Sequence, residues 1–298
     1  MSDPAAKRRQ LKAYIDSRKP LVVPGAGDGL GARLIQAAGF EAAYMSGFAV
    51  EGSLGMPDVG LLTLSEMARR AADMAAAIDI PLICDADTGY GNALNVQRTV
   101  REFERAGVCA IQLEDQQLPK KCGSMSGKRL VSIEEMCGKI RAAVDARNDE
   151  NFLIIGRTDA VAVEGKDRAI ERIQAYAEAG ADMTMVLGPY KPEDVPRFAA
   201  ASPKPLAHLN SESLTVPMMS PAELARAGVY IAIFPLALLL TATRAMQATL
   251  AHIREHGTTL DILDTKMVRW KTFNEIMGLP GIYAAEERYA AWSTAMEG

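Results

Sequence analysis

The sequence is poor in the residues that mark several common kinds of protein. Its 298 residues include three histidines and four cysteines, Cys84, Cys109, Cys122 and Cys137. The cysteines lie far apart without CxxC spacing, so we expect neither disulfide bonds nor a zinc site. Lysine and arginine form no long block, and the formal net charge is -4. This charge pattern argues against a nucleic acid or an anionic membrane as a partner.

Long apolar runs are absent as well. No uninterrupted stretch reaches about 18 apolar residues, and the residues after Met1 are polar, so we expect no membrane span, no secretion signal and a cytoplasmic protein. Apolar residues make up 49% of the chain and charged residues 23%, which is typical of a globular protein. The length allows one large domain, because barrels of alternating strands and helices reach this size.

A short sequence pattern is repeated four times along the chain. An Ala-Gly pair ends four helix-like stretches, at Gly39, Gly107, Gly180 and Gly228, and a short apolar run follows each pair. Together with the remaining apolar runs, this predicts eight strands, at residues 21–28, 40–48, 81–85, 109–114, 152–157, 182–187, 205–209 and 230–234. Helical periods between most of these strands predict an α/β fold, a TIM-type (β/α)8 barrel. An open doubly wound sheet is the alternative, but residues 25–31 lack GxGxxG spacing.

Polar residues follow the predicted strands at the end where such barrels carry their catalytic groups. Ser46, Glu114 and Arg157 end three of these strands, and Asp85 and Asp87 follow another. Residues two apart in an extended strand face the same side, so Asp85 and Asp87 should point together. Paired carboxylates favour Mg2+, or alternatively Mn2+, with water in the remaining positions. Solvated loop acids are the other interpretation.

A basic segment, residues 118–130, interrupts the alternation of strands and helices after the fourth predicted strand. It contains Lys120, Lys121, Cys122 and Gly123. We predict that it is a mobile lid over the barrel mouth, and that the lysines lower the pKa of Cys122. An exposed basic loop with an incidental cysteine is the alternative.

Helical patterns continue beyond the eighth strand. We predict that residues 258–298 form a C-terminal helical extension of a single barrel domain, residues 1–298. The aromatic residues of this extension predict a subunit interface, with a lid as the alternative: Trp270, Phe273, Tyr289 and Trp292. His252 and His256 are spaced to bind a metal, but we expect them at a helix end before Gly257. The role of His208 is left open.

Several short motifs occur in a fixed order: Ser46-Gly47, Gly55-Met-Pro-Asp58, Asp85-Ala-Asp87-Thr-Gly-Tyr-Gly91, Leu113-Glu-Asp-Gln116, Lys120-Lys-Cys-Gly123 and Gly156-Arg-Thr-Asp159. From about residue 21 to residue 257, this set resembles the isocitrate lyase and phosphoenolpyruvate mutase superfamily. The 2-methylisocitrate lyase and carboxyphosphonoenolpyruvate mutase branches are the most similar. The resemblance implies a Mg2+-dependent barrel that acts on 2-oxo or 2-hydroxy acids, in a homotetramer whose neighbours exchange the eighth helix.

The resemblance also implies roles for individual residues. Asp85 is implied to bind the metal directly, while Asp58, Asp87 and Glu114 hold its waters. Cys122 is implied to be the general acid of carbon–carbon lyases, and Lys120 and Lys121 are its catalytic neighbours. The residues expected to bind the substrate are Ser46, Gly47, Phe48, Gly123, Ser124, Arg157 and Asn210.

Three positions depart from the family pattern. Ser124 and Gln112 stand where such lyases carry histidines, and Leu187 stands where many carry a glutamate. The loss of these groups argues against isocitrate or 2-methylisocitrate as substrate, because a buried substrate carboxylate without a partner is costly. The implied function is a carbon–carbon lyase that splits a 2-hydroxy di- or tricarboxylate into a 2-oxo acid and a second carboxylate through a metal-stabilised enolate. The alternatives are a phosphonomutase or other P–C bond enzyme, an oxaloacetate or 2-oxo acid hydrolase or decarboxylase, and a non-catalytic binding protein.

Overall fold

The structure, a computed structural model, describes residues 3–296, and the side chains of residues 3–290 among them. The side chain of Trp292 therefore lies outside the described residues. The chain divides into two compact units, residues 1–240 and 241–298. The first unit contains the strands and the first nine helices. The predicted C-terminal extension, residues 258–298, lies within the second unit.

Eight parallel strands close into a barrel in which each strand pairs with its neighbours in chain order and β1 pairs with β8. This confirms the predicted TIM-type barrel, and every predicted apolar run contains or overlaps a strand. The strands are β1 (Leu21–Ala26), β2 (Ala43–Met45), β3 (Leu82–Asp85), β4 (Ala110–Glu114), β5 (Leu153–Thr158), β6 (Met183–Val186), β7 (Leu206–Leu209) and β8 (Ile231–Phe234).

Nine helices precede, connect or flank the strands of the first unit in its described part, and four further helices follow. They are α1 (Pro4–Asp16), α2 (Gly29–Ala37), α3 (Gly47–Ser53), α4 (Leu64–Ala77), α5 (Ala93–Arg105), α6 (Ile133–Ala146), α7 (Lys166–Glu178), α8 (Val195–Ala201), α9 (Pro221–Arg226), α10 (Ala237–His256), α11 (Leu263–Lys266), α12 (Trp270–Ile276) and α13 (Leu279–Met296). Within the described residues, no helix has both the length and the apolar character that crossing a membrane requires.

The repeated Ala-Gly pair has a structural reason. Gly39, Gly107, Gly180 and Gly228 have φ angles of +85°, +86°, +108° and +84°. Glycine adopts these angles at little cost because it has no Cβ. Each glycine follows the last residues of a helix and turns the chain toward the next strand, as a helix C-cap does.

Two apolar clusters form the core of the barrel unit. Met45 and Cys84 of the strands belong to a cluster that includes Met74 of α4 and Phe103 of α5. Their neighbours in sequence, such as Ile83, belong to the second cluster. Because successive strand residues face opposite sides, alternate apolar positions of β2, β3, β4 and β5 belong to different clusters, whereas those of β6, β7 and β8 belong to the second cluster alone.

Helix α1 is fastened to the N-terminal side of the barrel by two buried cations. Lys7 Nζ donates to the carbonyls of Ala75 and Ile78, each at 3.0 Å, where the chain leaves α4 and approaches β3. Arg8 Nε donates to the carbonyl of Val108 at 3.0 Å, just before β4. Cations at helix C-termini satisfy carbonyls that have no partner within the helix.

The end of α10 is as predicted. Helix α10 ends at His256, and Gly257 follows with a φ of +68°. His252 Nε2 lies 2.9 Å from Asp261 Oδ1, and the rings of His252 and His256 are 4.4 Å apart. The two histidines therefore occupy the last turns of a helix, and His252 takes an aspartate as its partner.

Candidate active site

The two acids that follow β3 converge, but for a different reason from the one predicted. The strand ends at Asp85, and Asp87 lies in the turn beyond it with a φ of +47°. The Asp87 amide donates to Asp85 Oδ1 at 3.0 Å. A Cβ placed on Gly47 would lie 3.1 Å from Asp85 Oδ2 and 3.6 Å from Asp87 Oδ1. The carboxylates thus share one cradle because of a left-handed turn, which aspartate tolerates better than most residues, and not because of strand alternation.

Asp85 is oriented by side chains from the neighbouring strands. Gln112 Nε2 on β4 donates to Asp85 Oδ1 at 3.4 Å, and the Tyr44 hydroxyl on β2 donates to Gln112 Oε1 at 3.3 Å. Burial, followed by the charge of Asp87, raises the pKa of Asp85 to about 6. The carboxylate is therefore held in place where its negative charge is poorly compensated.

A second pair of acids, Asp58 and Glu51, lies beside the first, and the ammonium group of Lys120 lies between Asp58 and Asp87. Lys120 forms an ion pair with Asp58, and its Nζ lies 2.6 Å from Asp87 Oδ1. Burial, followed by the charge of Asp58, raises the pKa of the neighbouring Glu51 to about 7. Lys120 is therefore part of the mouth, as predicted, but it contacts the predicted water-holding acids instead of serving as a partner for Cys122.

The opposite wall of the mouth carries Arg157. Its Nη1 lies 3.0 Å from Glu114 Oε2, and its Nε and Nη2 donate to the two carboxylate oxygens of Asp159 at 2.9 and 3.2 Å. Burial raises the pKa of Glu114 well above its usual value, although Arg157 opposes this shift. Glu114 Oε1 is buried and has no hydrogen-bond partner. Arg157 is thus fixed in one orientation, and Glu114 keeps one oxygen for a further partner.

Residues 118–130, which we call the lid loop, lie over this mouth. The Cys122 amide donates to the Asp58 carbonyl at 3.0 Å. Gly123 lies so close to Leu187 and Arg157 that a side chain at this position would clash with both. The loop therefore covers the mouth and brings Cys122 and Gly123 to the residues at the strand ends, while its movement as a lid stays a prediction.

The predicted lowering of the Cys122 pKa is wrong, although Lys120 acts in the predicted direction. The pKa of the Cys122 thiol is raised to about 11, first by burial and then by the charge of Asp58, and these effects outweigh Arg157 and Lys120. Cys122 is therefore a protonated thiol near neutral pH. This is the form that a general acid requires, whereas a nucleophile requires the thiolate.

Two other predictions are corrected by the structure. Lys121 does not line the cavity, because its Nζ turns to the carbonyl of Ser126 within the lid loop at 3.3 Å. The side chain of Asn210 is bound to the backbone of Met219, with distances of 2.8 and 3.0 Å. The next residue, Ser211, lines the cavity in its place. A shift of one residue at the end of β7 accounts for this error.

His208 is a structural residue. It is buried on β7, where its Nε2 lies 2.9 Å from the Pro217 carbonyl and its Nδ1 lies 3.4 Å from the Tyr190 hydroxyl. Burial lowers its pKa. Its ring is enclosed by these partners, and His208 is not among the residues that line the cavity.

The distal side of the mouth is lined with hydroxyl groups. Ser124 Oγ on the lid loop lies 2.5 Å from Ser213 Oγ, and Ser213 Oγ lies 2.8 Å from Ser211 Oγ and 3.3 Å from Thr215 Oγ1. We call these four residues the hydroxyl cluster. The cluster joins the lid loop to the loop after β7, and it carries no charge.

The closed mouth encloses a cavity of about 40 Å3, which is lined by Tyr44, Ser46, Phe48, Asp58, Asp85, Cys122, Gly123, Ser124, Arg157, Leu187, Leu209, Ser211, Pro235 and Leu236. The sequence interpretation missed Tyr44, Leu209, Pro235 and Leu236. Tyr44 could have been found, because it is two residues before Ser46 in a strand and therefore faces the same side. The other three had no polar signal.

The residues of the mouth fit a cation that is held largely through water. Among the described residues, no three His, Cys, Asp or Glu side chains are placed to coordinate one ion together. However, the pKa values of Asp85, Glu51 and Glu114 are all raised, and Glu114 Oε1 has no partner. A buried acid cluster with too little positive charge is what a divalent ion with several waters would neutralise.

The chain is similar in sequence and in structure to several known proteins. A family model described as phosphoenolpyruvate phosphomutase matches residues 11–254. The chain is 46% identical over 287 residues to a 2,3-dimethylmalate lyase of Eubacterium barkeri, and the alignment covers 96% of this chain and 98% of the relative. A structure of oxaloacetate acetylhydrolase with the inhibitor 3,3-difluorooxalacetate superposes with a TM-score of 0.91 and 34% identity, covering 97% of this chain and 99% of the other. A phosphonopyruvate hydrolase in complex with oxalate and Mg2+ superposes with a TM-score of 0.87 and 34% identity, covering 95% and 99%.

Proposed function

The chain belongs to the phosphoenolpyruvate phosphomutase family of the isocitrate lyase and phosphoenolpyruvate mutase superfamily, and on that premise we propose that it is a carbon–carbon lyase. Its substrate is a small 2-hydroxy dicarboxylate, which it splits into a 2-oxo acid and a second carboxylate. The proposal extends to this chain the activity that the name of the dimethylmalate lyase states for that relative.

One observation carries the proposal: the protonated thiol of Cys122 lies on the lid loop over a cavity that Asp85 and Arg157 also line. When a carbon–carbon bond breaks in a 2-hydroxy acid, the hydroxyl group gives up its proton and becomes the carbonyl of the 2-oxo acid. The carbon that leaves keeps the electron pair and takes up a proton in turn. A buried thiol with a pKa of about 11 holds a proton near neutral pH and can deliver it to such a basic carbon.

The other mouth residues bind and orient the acid. We propose that the carboxylate of the 2-oxo acid half lies against Ser46 and the amides of Gly47 and Phe48, opposite Arg157. Ser46 is the N-cap of α3, so the amides of the first turn have no partner within the helix. Arg157 is held by Glu114 and Asp159 and offers a fixed positive charge to the substrate.

We propose Mg2+ as the cofactor, with Asp85 as its direct ligand and with Asp58, Asp87 and Glu114 holding its waters. When bound, the ion supplies Lewis acidity toward the oxygen atoms of the 2-oxo acid half. The raised pKa values of Asp85 and Glu114 support this assignment, because both acids lie where positive charge is missing.

The lining of the cavity supports a small dicarboxylate with alkyl substituents. Among the described residues that line it, Arg157 is the one cation, while Leu187, Leu209 and Leu236 supply apolar surface. Hydroxyls of the hydroxyl cluster are the remaining donors for a second carboxylate. A third carboxylate would be buried without a partner, which costs several kcal/mol in general. A tricarboxylate is therefore the poorer fit.

The experiment that tests this function is an NMR assay of purified protein with Mg2+ and, separately, 2,3-dimethylmalate, citramalate, 2-methylisocitrate, oxaloacetate or phosphonopyruvate. We expect a 2-oxo acid to form from a dialkyl or monoalkyl malate, and we expect EDTA to stop the reaction. Turnover of oxaloacetate alone would assign the protein to the hydrolases, and turnover of phosphonopyruvate alone would assign it to the P–C bond enzymes. Either result, or no turnover of any acid, would refute the lyase proposal.

We also propose that the protein is a homotetramer whose neighbours exchange α10. No described residue of α10 is buried, although Met246, Leu250 and Ile253 are apolar. In the barrel unit, Leu30 and Leu34 of α2 are likewise exposed. Exposed apolar side chains of this kind mark subunit contacts. Native mass spectrometry should give four copies, and Leu250→Asp should reduce the assembly. A monomer at all concentrations would contradict the proposal.

A further inference from the structure

The lid loop has a second buried lysine that the proposed reaction does not use. The side chain of Lys128 is 2% exposed. Its ammonium group donates to the carbonyl of Gly123, and its Nζ lies 3.6 Å from Asp159 Oδ1. Lysine is almost never fully buried unless it is paired. Lys128 is thus buried among partners that come from both the lid loop and the barrel.

The two partners of Lys128 have different positions in the site. Gly123 directly follows Cys122, and it lies close to Arg157. Asp159 is completely buried and binds Arg157 through both carboxylate oxygens. One ammonium group therefore connects the lid segment that carries the thiol to the carboxylate that orients the arginine.

Asp159 is a rigid anchor for this contact. The Asp159 amide donates to Asp115 Oδ1 at 3.0 Å. Asp115 Oδ2 in turn accepts from Thr158 Oγ1 at 2.6 Å, from the Tyr176 hydroxyl at 2.7 Å and from Arg172 Nη1 at 3.1 Å. None of these partners of Asp159 and Asp115 belongs to the lid loop, so the barrel alone holds Asp159 in place.

We propose that Lys128 is a positioning residue that holds the lid loop closed by joining the Gly123 carbonyl to Asp159. In the closed lid, Lys128 holds Cys122 over the cavity. It thereby fixes the position of the Cys122 thiol relative to the guanidinium group of Arg157. Opening the lid separates Lys128 from Asp159 and returns its ammonium group to water. The contact therefore favours the closed position over the open one.

The test uses Lys128→Met, with Arg129→Met as the matched control. Both variants remove one positive charge from adjacent positions of the lid loop, but Arg129 is exposed and its side chain forms no described contact. The measured quantity is the rate at which iodoacetamide alkylates Cys122, followed by mass spectrometry of the peptide. Cys84 and Cys109 are fully buried and serve as internal references in the same molecule.

We expect Lys128→Met to accelerate the alkylation of Cys122 by about tenfold to a hundredfold, the range of one charged hydrogen bond. Arg129→Met should stay within about twofold of the unchanged protein. Lys128→Gln, which can still donate to Gly123 but has no charge, should give an intermediate rate. Unchanged alkylation in both Lys128 variants, with Cys84 and Cys109 unreactive, would overturn the proposal. Alkylation of all three cysteines would show unfolding, and Lys128→Gln would then decide the question.

Only the kinetic consequence of this inference rests on the proposed lyase function. In the lyase assay, Lys128→Met should lower kcat and leave KM within about threefold, because the lid acts after the acid has bound. A change in KM alone would refute this part. Alkylation needs no substrate, so a failure of the proposed function leaves the lid measurement intact.

Discussion

Both ends of the barrel bury charged side chains, but these side chains have their partners at the N-terminal end and lack some of them at the mouth. At the N-terminal end, Arg8 Nη2 donates to the Glu104 carbonyl, and the Glu104 carboxylate accepts from the backbone and side chain of Asn148 and from the Asp149 amide at 2.7 to 3.1 Å. At the mouth, Asp85, Glu51 and Glu114 have raised pKa values, and an oxygen of Glu114 has no partner.

This difference separates a structural use of charge from a functional one. A buried charge that has all its partners holds elements together, and removing one partner leaves the other uncompensated. A buried charge without enough partners lowers stability unless a ligand supplies the missing charge. The charges at the N-terminal end therefore have their partners, while the acids at the mouth lack positive charge, which the proposed cation would supply.

The largest expected effect comes from Asp85→Asn at the mouth. Removing the proposed direct metal ligand should lower turnover by about a thousandfold or more. The midpoint of urea unfolding should not fall, because the substitution removes a poorly compensated buried charge. A loss of stability as large as the loss of activity would make Asp85 a structural residue and would abolish the contrast between the two ends.

Cys122→Ala should have the next largest effect. Loss of the proposed general acid should lower turnover by about a hundredfold or more, because positioned proton transfer contributes rate factors of that order. Isothermal titration should show that Mg2+ binding persists, since the thiol is not a ligand. Full activity in this variant would exclude Cys122 as the proton donor, while loss of Mg2+ binding would indicate a disturbed site.

Glu104→Gln tests the other end of the barrel. It breaks a buried, satisfied charge cluster and should lower the free energy of unfolding by about 3 kcal/mol. Urea denaturation measures this change, and kcat should stay within about twofold at a temperature where the variant is folded. A large drop in kcat with little loss of stability would show that the N-terminal end also acts in the reaction.

The smallest effect is a dependence of stability on pH and Mg2+. The pKa of Asp85 is raised to about 6 and that of Glu51 to about 7, so the folded state holds more protons than the unfolded state between about pH 4 and pH 7. Their contribution is favourable at the acid end and declines as the pH rises through these values. Mg2+ should therefore raise the melting temperature by a few degrees more at about pH 8 than at about pH 5.5. An equal shift at both pH values would argue against Asp85 as the ligand.

The barrel could be predicted from the sequence because its signals are local. Each Ala-Gly pair ends a helix, and each apolar run has the length of a strand. The convergence of Ser46, Asp85, Glu114 and Arg157 followed from the fold, since the C-terminal ends of all strands meet at one mouth.

The details of the mouth could not be predicted, because they depend on contacts between distant segments. The pKa of Cys122 is set by how deeply the lid loop is buried, which neighbouring lysines in sequence do not reveal. Lys121 and Lys128 look alike in the sequence, yet only Lys128 turns toward Asp159. The turn at Asp87 and the one-residue shift at Asn210 likewise depend on the conformation of the loops.

The most direct test of the proposed chemistry is a reaction of 2,3-dimethylmalate with the protein and Mg2+ in D2O, followed by NMR. We expect pyruvate and propionate in equal amounts, with one deuterium at C2 of the propionate. The deuterium arises because the Cys122 thiol exchanges with solvent before it protonates the departing carbon. Cys122→Ala should form neither product at a comparable rate. Absence of cleavage both here and with citramalate, or cleavage at the same rate without the cysteine, would contradict the account.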